Sequence, residues 1–154
     1  MSAEIRGAGL IDMPALIRMG RAFFEQASLD SLTQWDEPSF QATAEMLIAS
    51  ERGILLLAEA EGHGVGMAGA LVFPAYFNVH VLCGQELFWF CSPDHRFGTG
   101  AALIARLEEE ARNRGASLFI AGAVAGLRDA AIARLYARRG YRPTEYSFIK
   151  RLAS

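Results

Sequence analysis

The chain has 154 residues, 52% hydrophobic and 21% charged, with a formal net charge of −2. That length fits one domain, taken as 1–154, with one sizeable core, and the composition leaves little room for disorder. Acids and bases are interspersed, which excludes the basic field that nucleic-acid binding needs and the acidic block that basic tails need.

In chain order, Ile5 to Leu10 reads as a short first strand. Asp12 is placed to cap a helix with Pro14 in its first turn, and Leu16, Met19 and Phe23 keep a helical period to about Ala27. Ser28 to Glu37 reads as loop, and a second helix fits Pro38 to about Arg52, with Gly53 ending it. Ile54 to Ala60 is an apolar strand, Glu61-Gly62-His63-Gly64 a hairpin turn, and Val65 to Phe73 the returning strand. Pro74 to Gly84 reads as irregular and aromatic. Leu87 to Cys91 is an apolar strand that Ser92-Pro93-Asp94 ends. A helix follows to Gly115, with Leu103, Leu107 and Ala111 on one stripe. Ser117 to Val124 reads as a strand, and Asp129 to Arg139 as a helix stopped at Gly140. Tyr141 to Leu152 gives one or two closing strands. The order β-α-α-β-β-β-α-β-α-β(-β) is that of an α/β or α+β domain with a mixed sheet.

Cys83 and Cys91 flank one stretch of strand, whose ends lie too far apart for a disulfide. Reduced thiols point to the cytoplasm. Two cysteines make no metal-ligand cluster, so no metal is expected. The N-terminus lacks a basic-then-apolar signal, and no apolar run approaches bilayer length.

The chemistry concentrates in QELFWFCSPDHRFGTGAALIARLEEEARNRGA, Gln85 to Ala116. The first N–H groups of a helix have no partners within it and, with the helix dipole, form an anion site. Gly98 and Gly100 remove side chains that would hold a phosphate off the backbone, and Arg96 adds a charge. The same glycines also suit a turn that is merely tightly packed.

The segment SPDHRFGTGAALI resembles the acetyl-CoA signature of the GNAT acetyltransferase superfamily, Q/R-x-x-G-x-G/A after a strand ending V-x-P. Cys91-Ser92-Pro93 stands at V-x-P. His95 stands where Gln or Arg is usual, and Arg96 lies one residue beyond the usual arginine. A second stretch, from Asp129 through Leu135-Tyr136 to Gly140-Tyr141, is similar to N-x-x-A-x-x-L-Y-x-K-x-G-F/Y, with Asp129 in place of Asn. Asp and Asn both cap helices.

The resemblance implies the GNAT fold, a mixed sheet of about six to seven strands with about four helices, splayed after the fourth strand. It implies acetyl transfer from acetyl-CoA to a primary amine by direct attack. The acceptor is a small molecule or a peptide amine, with no nucleic acid or membrane, and dimers are common among such folds. The amides of Arg96, Phe97, Gly98, Thr99, Gly100 and Ala101 would hold the pyrophosphate. The strand edge at Phe90 and Cys91 would bind pantetheine as an added strand, and Asp129 would also contact the cosubstrate.

An alkyl ammonium, with a pKa of about 10.4, must lose a proton before it attacks. Glu86 is the expected base, placed on one face with Phe88 and Phe90. His80 and Glu145 are the alternatives. Tyr136 is the expected acid for the departing thiolate, against a plain core tyrosine. Cys91 reads as a small strand residue, since no His–acid pair is evident beside it. The runner-up function is a non-catalytic acyl-CoA-binding or sensing module. A tRNA-directed toxin is disfavoured by the net charge.

Overall fold

The computed structural model describes residues 2–152. Its elements are β1 (Glu4–Gly7), α1 (Met13–Gln26), α2 (Glu37–Ala49), β2 (Gly53–Ala60), β3 (His63–Ala75), β4 (Asn78–Cys91), α3 (Arg96–Asn113), β5 (Ala116–Ile120) and α4 (Asp129–Arg138). The strands form one sheet in the order β1-β2-β3-β4-β5. Neighbours from β1 to β4 run antiparallel, and β5 joins β4 in parallel.

The unbroken apolar run of β2 is buried on both faces, and strand alternation decides where each side chain goes. Ile54, Leu56 and Ala58 meet Leu103, Ile104 and Leu107 of α3 on one face. Leu55 and Leu57 meet Leu16 and Met19 of α1 and Ala44 and Leu47 of α2 on the other. The sheet therefore lies between an α1–α2 layer and an α3–α4 layer. Gly115 (φ 90°) and Gly140 (φ 87°) stop α3 and α4 in the left-handed region, as their sequence positions suggest.

Several boundaries differ from the sequence reading. Asp12 does not cap α1. Its carboxylate takes both Arg6 guanidinium nitrogens at 2.8 Å and the Gly9 N–H at 2.8 Å. Helix α2 is capped one step earlier than expected, by Asp36 accepting from the Ser39 N–H. It ends at Ala49, and Gly53 opens β2 rather than closing the helix. The stretch from Pro74 to Gly84 is not irregular. It completes a long β3–β4 hairpin around Tyr76-Phe77, and the pairing slips beside Pro74, where a proline is tolerated. Strand β5 ends at Ile120 instead of Val124.

The sheet has five strands, not six or seven, among the described residues. Residues 141–152 form no strand. They are held instead by the Tyr141 hydroxyl donating to Glu108 (2.8 Å) and by Arg151 donating to the carbonyls of Ser31 and Leu32 (2.9 and 3.3 Å). The one or two closing strands expected over Tyr141 to Leu152 are absent, and the outer edge of β5 stays unpaired among the described residues. No helix among the described residues is long and apolar enough to cross a membrane.

Candidate active site

The site begins where β4 loses one neighbour. Pairing between β4 and β5 runs from Leu82↔Ala116 to Gln85↔Ile120 and stops. Pairing with β3 continues to Gly66↔Cys91. From Glu86 to Cys91 one edge of β4 is thus open, and its main-chain groups are free to bind an extended ligand as an added strand would.

A bulge accompanies the parting. Ala70 pairs with Glu86 and Gly69 with Phe88, which leaves Leu87 as an extra residue. The extra residue reverses the facing. Phe88 and Phe90 enter the α1–α2 core. Glu86 faces the α3–α4 layer, beside Ala70, whose side chain packs with Leu103 and Ile104. The expectation that Glu86 shares a face with Phe88 and Phe90 is therefore wrong, because simple alternation does not survive a bulge.

At the start of α3, Phe97 (ψ 105°) and Gly98 (φ 81°) break the helical course, and regular helix begins at Thr99. Gly98 needs to be glycine on conformational grounds, and open space surrounds it. Gly100 is glycine for another reason. A β-carbon there would lie 2.9 Å from Cζ2 of Trp89, so the indole occupies that gap.

A cleft of about 290 Å³ runs between the open edge of β4, the start of α3 and one face of α4. Phe90, Cys91, Arg96, Gly98, Gly100 and Ala101, all chosen from sequence, line it. Trp89, Leu127, Arg128, Ile132 and Arg138 line it too, and sequence reasoning passed over them as cosubstrate contacts. The only sequence signal for Arg138 was its place in the L-Y-x-R stretch. Nothing marked Arg128, which sits in the left-handed region at φ 53° before α4. Phe97 is 99% exposed and points elsewhere. It lines a second hollow of about 290 Å³ with Thr99, His95, Glu61 and Asp94. Two carboxylates make that hollow unfavourable for a phosphate, whereas Arg96, Arg128 and Arg138 favour the first. Asp129 lies outside the lining, and its carboxylate accepts from Gly126 N–H (3.3 Å) and Ala130 N–H (3.0 Å).

Neither Glu86 nor Tyr136 lines the cleft, but Tyr136 packs against Trp89, which does, with ring centroids 6.2 Å apart. The Glu86 carboxylate is half-buried and takes the Gly122 N–H at 3.0 Å. Burial pushes its pKa up to about 6, and the Gly122 hydrogen bond opposes that rise. The Tyr136 hydroxyl donates to the Gly122 carbonyl at 2.7 Å. Burial, and then the Glu86 charge, hold this phenol well above its usual range. The structure therefore brings the two residues together, through Gly122. His80 and Glu145 are exposed and away from the cleft lining. The Cys91 thiol donates to the His95 carbonyl (3.2 Å), and burial raises its pKa, with Arg96 pulling the other way. It is poorly placed to be a thiolate nucleophile.

The cleft fits a long acyl carrier with a diphosphate. It offers a free strand edge, an open turn at Gly98 and three arginines. No grouping of three His, Cys, Asp or Glu among the described residues could hold a metal ion.

Comparison with known proteins agrees with this geometry. A profile of the Acetyltransferase (GNAT) family matches residues 20–141. No curated protein sequence matches. Among solved structures, AAC(6')-Iy in complex with the bisubstrate analogue CoA-S-monomethyl-acetylneamine aligns with TM-score 0.79 at 15% identity, covering 100% of both chains. A ribosomal-protein-alanine N-acetyltransferase from Brucella melitensis biovar Abortus 2308 aligns with TM-score 0.73 at 21% identity, covering 97% of this chain and 99% of that one. The aminoglycoside acetyltransferase HMB0005 from an uncultured soil metagenomic sample aligns with TM-score 0.76 at 20% identity, covering 99% and 100%. A sheet that parts at Glu86 above a glycine-turned helix start, together with the profile match, places this chain in the GNAT acetyltransferase family.

Proposed function

We propose that the protein is a single-domain cytoplasmic enzyme that moves the acetyl group of acetyl-CoA onto a primary amine in a ternary complex. The observation that carries this reading is the open edge of β4 from Glu86 to Cys91, which leads directly to the glycine-turned start of α3.

In this reading the N–H groups between Arg96 and Ala101 and the nearby arginines hold the diphosphate. Main-chain groups of Phe90 and Cys91 hold the pantetheine arm, and a β4 N–H polarises the thioester carbonyl. Holding thioester and amine together makes the attack local. The amine loses a proton, its nitrogen bonds the acetyl carbon, the carbon–sulfur bond breaks, and the sulfur takes up a proton. Glu86 supports the first proton transfer because its raised pKa lets it accept near neutral pH. Tyr136 supports the last by donating its hydroxyl hydrogen to the sulfur, although burial and the Glu86 charge hold its pKa above the usual phenol range and weaken it as an acid. Its hydroxyl must first turn away from Gly122. The relatives act on aminoglycosides and on ribosomal-protein alanine, so aminoglycosides and peptides with N-terminal alanine are the first acceptors to try.

One observation favours a second reading. Glu86 and Tyr136 are both engaged by Gly122, which also suits a non-catalytic acyl-CoA-binding module. A thiol-release screen of amines with acetyl-CoA separates the two. The enzyme reading expects amine-dependent free thiol that falls sharply in Tyr136→Phe. CoA binding with no thiol release from any amine supports the binding module.

A further inference from the structure

Gly122 is a loop residue directly beyond the end of β5. The last β4–β5 pair is Gln85↔Ile120, so a regular ladder would continue through the main chain of Glu86. The sheet parts instead, and the Glu86 side chain, turned by the extra residue at Leu87, crosses the gap to the Gly122 N–H at 3.0 Å. From the other side, the Tyr136 hydroxyl reaches the Gly122 carbonyl at 2.7 Å. Both main-chain groups of one residue are thus held, by side chains from different elements.

We propose that Glu86 and Tyr136 form a clamp on Gly122 that positions the 121–128 loop and, through it, the α4 wall of the cosubstrate cleft. This makes Glu86 a positioning residue, whether or not it also takes a proton. The inference rests on the reading that the cleft binds acetyl-CoA.

The loop beyond Gly122 is built to transmit a fixed start. Leu127 N–H donates to the Val124 carbonyl at 3.0 Å, and Gly126 N–H to Asp129 at 3.3 Å. Leu127 and Arg128 then form part of the cleft lining. Arg128 has φ 53°, a conformation that a non-glycine residue keeps only where its surroundings enforce it. A hydrogen bond on each side of Gly122 fixes orientation as well as position. Released from one, the loop is free to pivot about the other, and Leu127 and Arg128 move with it.

Glutamine keeps a carbonyl oxygen that can accept the Gly122 N–H, whereas alanine keeps none. Glu86→Gln therefore preserves the clamp while removing the base, and Glu86→Ala removes both. Two measurements are made on Glu86→Gln, Glu86→Ala, Tyr136→Phe and the Glu86→Ala/Tyr136→Phe double variant. Hydrogen exchange of the 121–128 segment, without ligand, should accelerate about tenfold in Glu86→Ala and in Tyr136→Phe, and by less than about twofold in Glu86→Gln. The calorimetric Kd for coenzyme A should weaken about tenfold in Glu86→Ala and stay within about twofold in Glu86→Gln. Because both residues act on Gly122, the double variant should lose no more than about twofold beyond the weaker-binding single variant. Unchanged exchange in both single variants overturns the proposal, as does Glu86→Gln behaving like Glu86→Ala. Multiplied losses in the double variant also overturn it. Should Glu86→Ala fail to fold, Tyr136→Phe decides by the same exchange measurement. If the wild type gives no heat with coenzyme A, the acetyl-CoA reading falls, and the ligand-free exchange data alone decide the clamp.

Discussion

Beyond Val81, the two halves of β4 are one continuous strand with opposite duties. From Leu82 to Gln85 it is paired on both sides, by β3 and by β5. From Glu86 to Cys91 it is paired by β3 alone. In the first half, main-chain groups are paired within the fold on both sides. In the second half the fold leaves one edge unspent. The contrast teaches that binding capacity here comes from withheld pairing, and that changes in the two halves should be felt in different measurements.

The largest effect is expected in the open half. Glu86→Gln should lower kcat by about a hundredfold. In the wild type the rate should rise with pH through about 6, as the Glu86 carboxylate ionises, and this limb should vanish in the variant. Stability runs the other way. A carboxyl whose pKa is raised by burial stabilises the fold fully below the usual carboxylate range, and that contribution is lost as pH rises through about 6. Tyr136, the titratable group hydrogen-bonded to the same residue, stays protonated throughout this window. Rate–pH profiles and melting curves of both proteins check the two signs.

Gly98→Val comes next. Its left-handed φ strains any other residue, and the space that a side chain would fill is the open turn beside the cleft. Binding of coenzyme A should weaken by roughly tenfold to a hundredfold, as measured by calorimetry. Arg138→Ala should weaken it less, by about fivefold at low salt, with the difference shrinking as salt is added. The paired half should answer differently. A β-carbon at Gly84 would lie 2.7 Å from the Phe119 ring and 2.9 Å from the Ala111 side chain. Gly84→Ala should therefore cost about 1–3 kcal/mol of stability by denaturant titration, while the folded protein binds coenzyme A within about twofold of wild type. Equal effects of Gly84→Ala and Gly98→Val on binding would break the comparison.

What was legible in the chain followed from local rules. The stripe of Leu103, Leu107 and Ala111 and the glycine after each of α3 and α4 are local signals, and both helices end where those signals place them. The turn at Gly98 was legible for the same reason. What escaped depends on distant partners. The extra residue at Leu87 leaves no mark in an apolar run, so Glu86 was placed on the wrong face. Pro74 to Gly84 reads as irregular, but a pairing irregularity beside Pro74 lets the hairpin continue. A closing strand is expected over Tyr141 to Leu152, yet Tyr146 and Phe148 are exposed and the segment has no strand partner. Gly122 is one glycine among fifteen, and only tertiary structure shows two side chains converging on it. Gly100 shows the reverse. It was read as room for phosphate, and the space is filled by Trp89.

Coenzyme A is expected to lie along the open edge of β4 with its diphosphate at the start of α3. A titration with coenzyme A followed by backbone amide NMR tests this most directly. The largest shifts should cluster at Phe90–Cys91 and Gly98–Ala101 and leave the amides of Glu61 and Asp94 nearly unmoved. Shifts centred on Glu61 and Asp94, or none at saturating coenzyme A in well-folded protein, would contradict it.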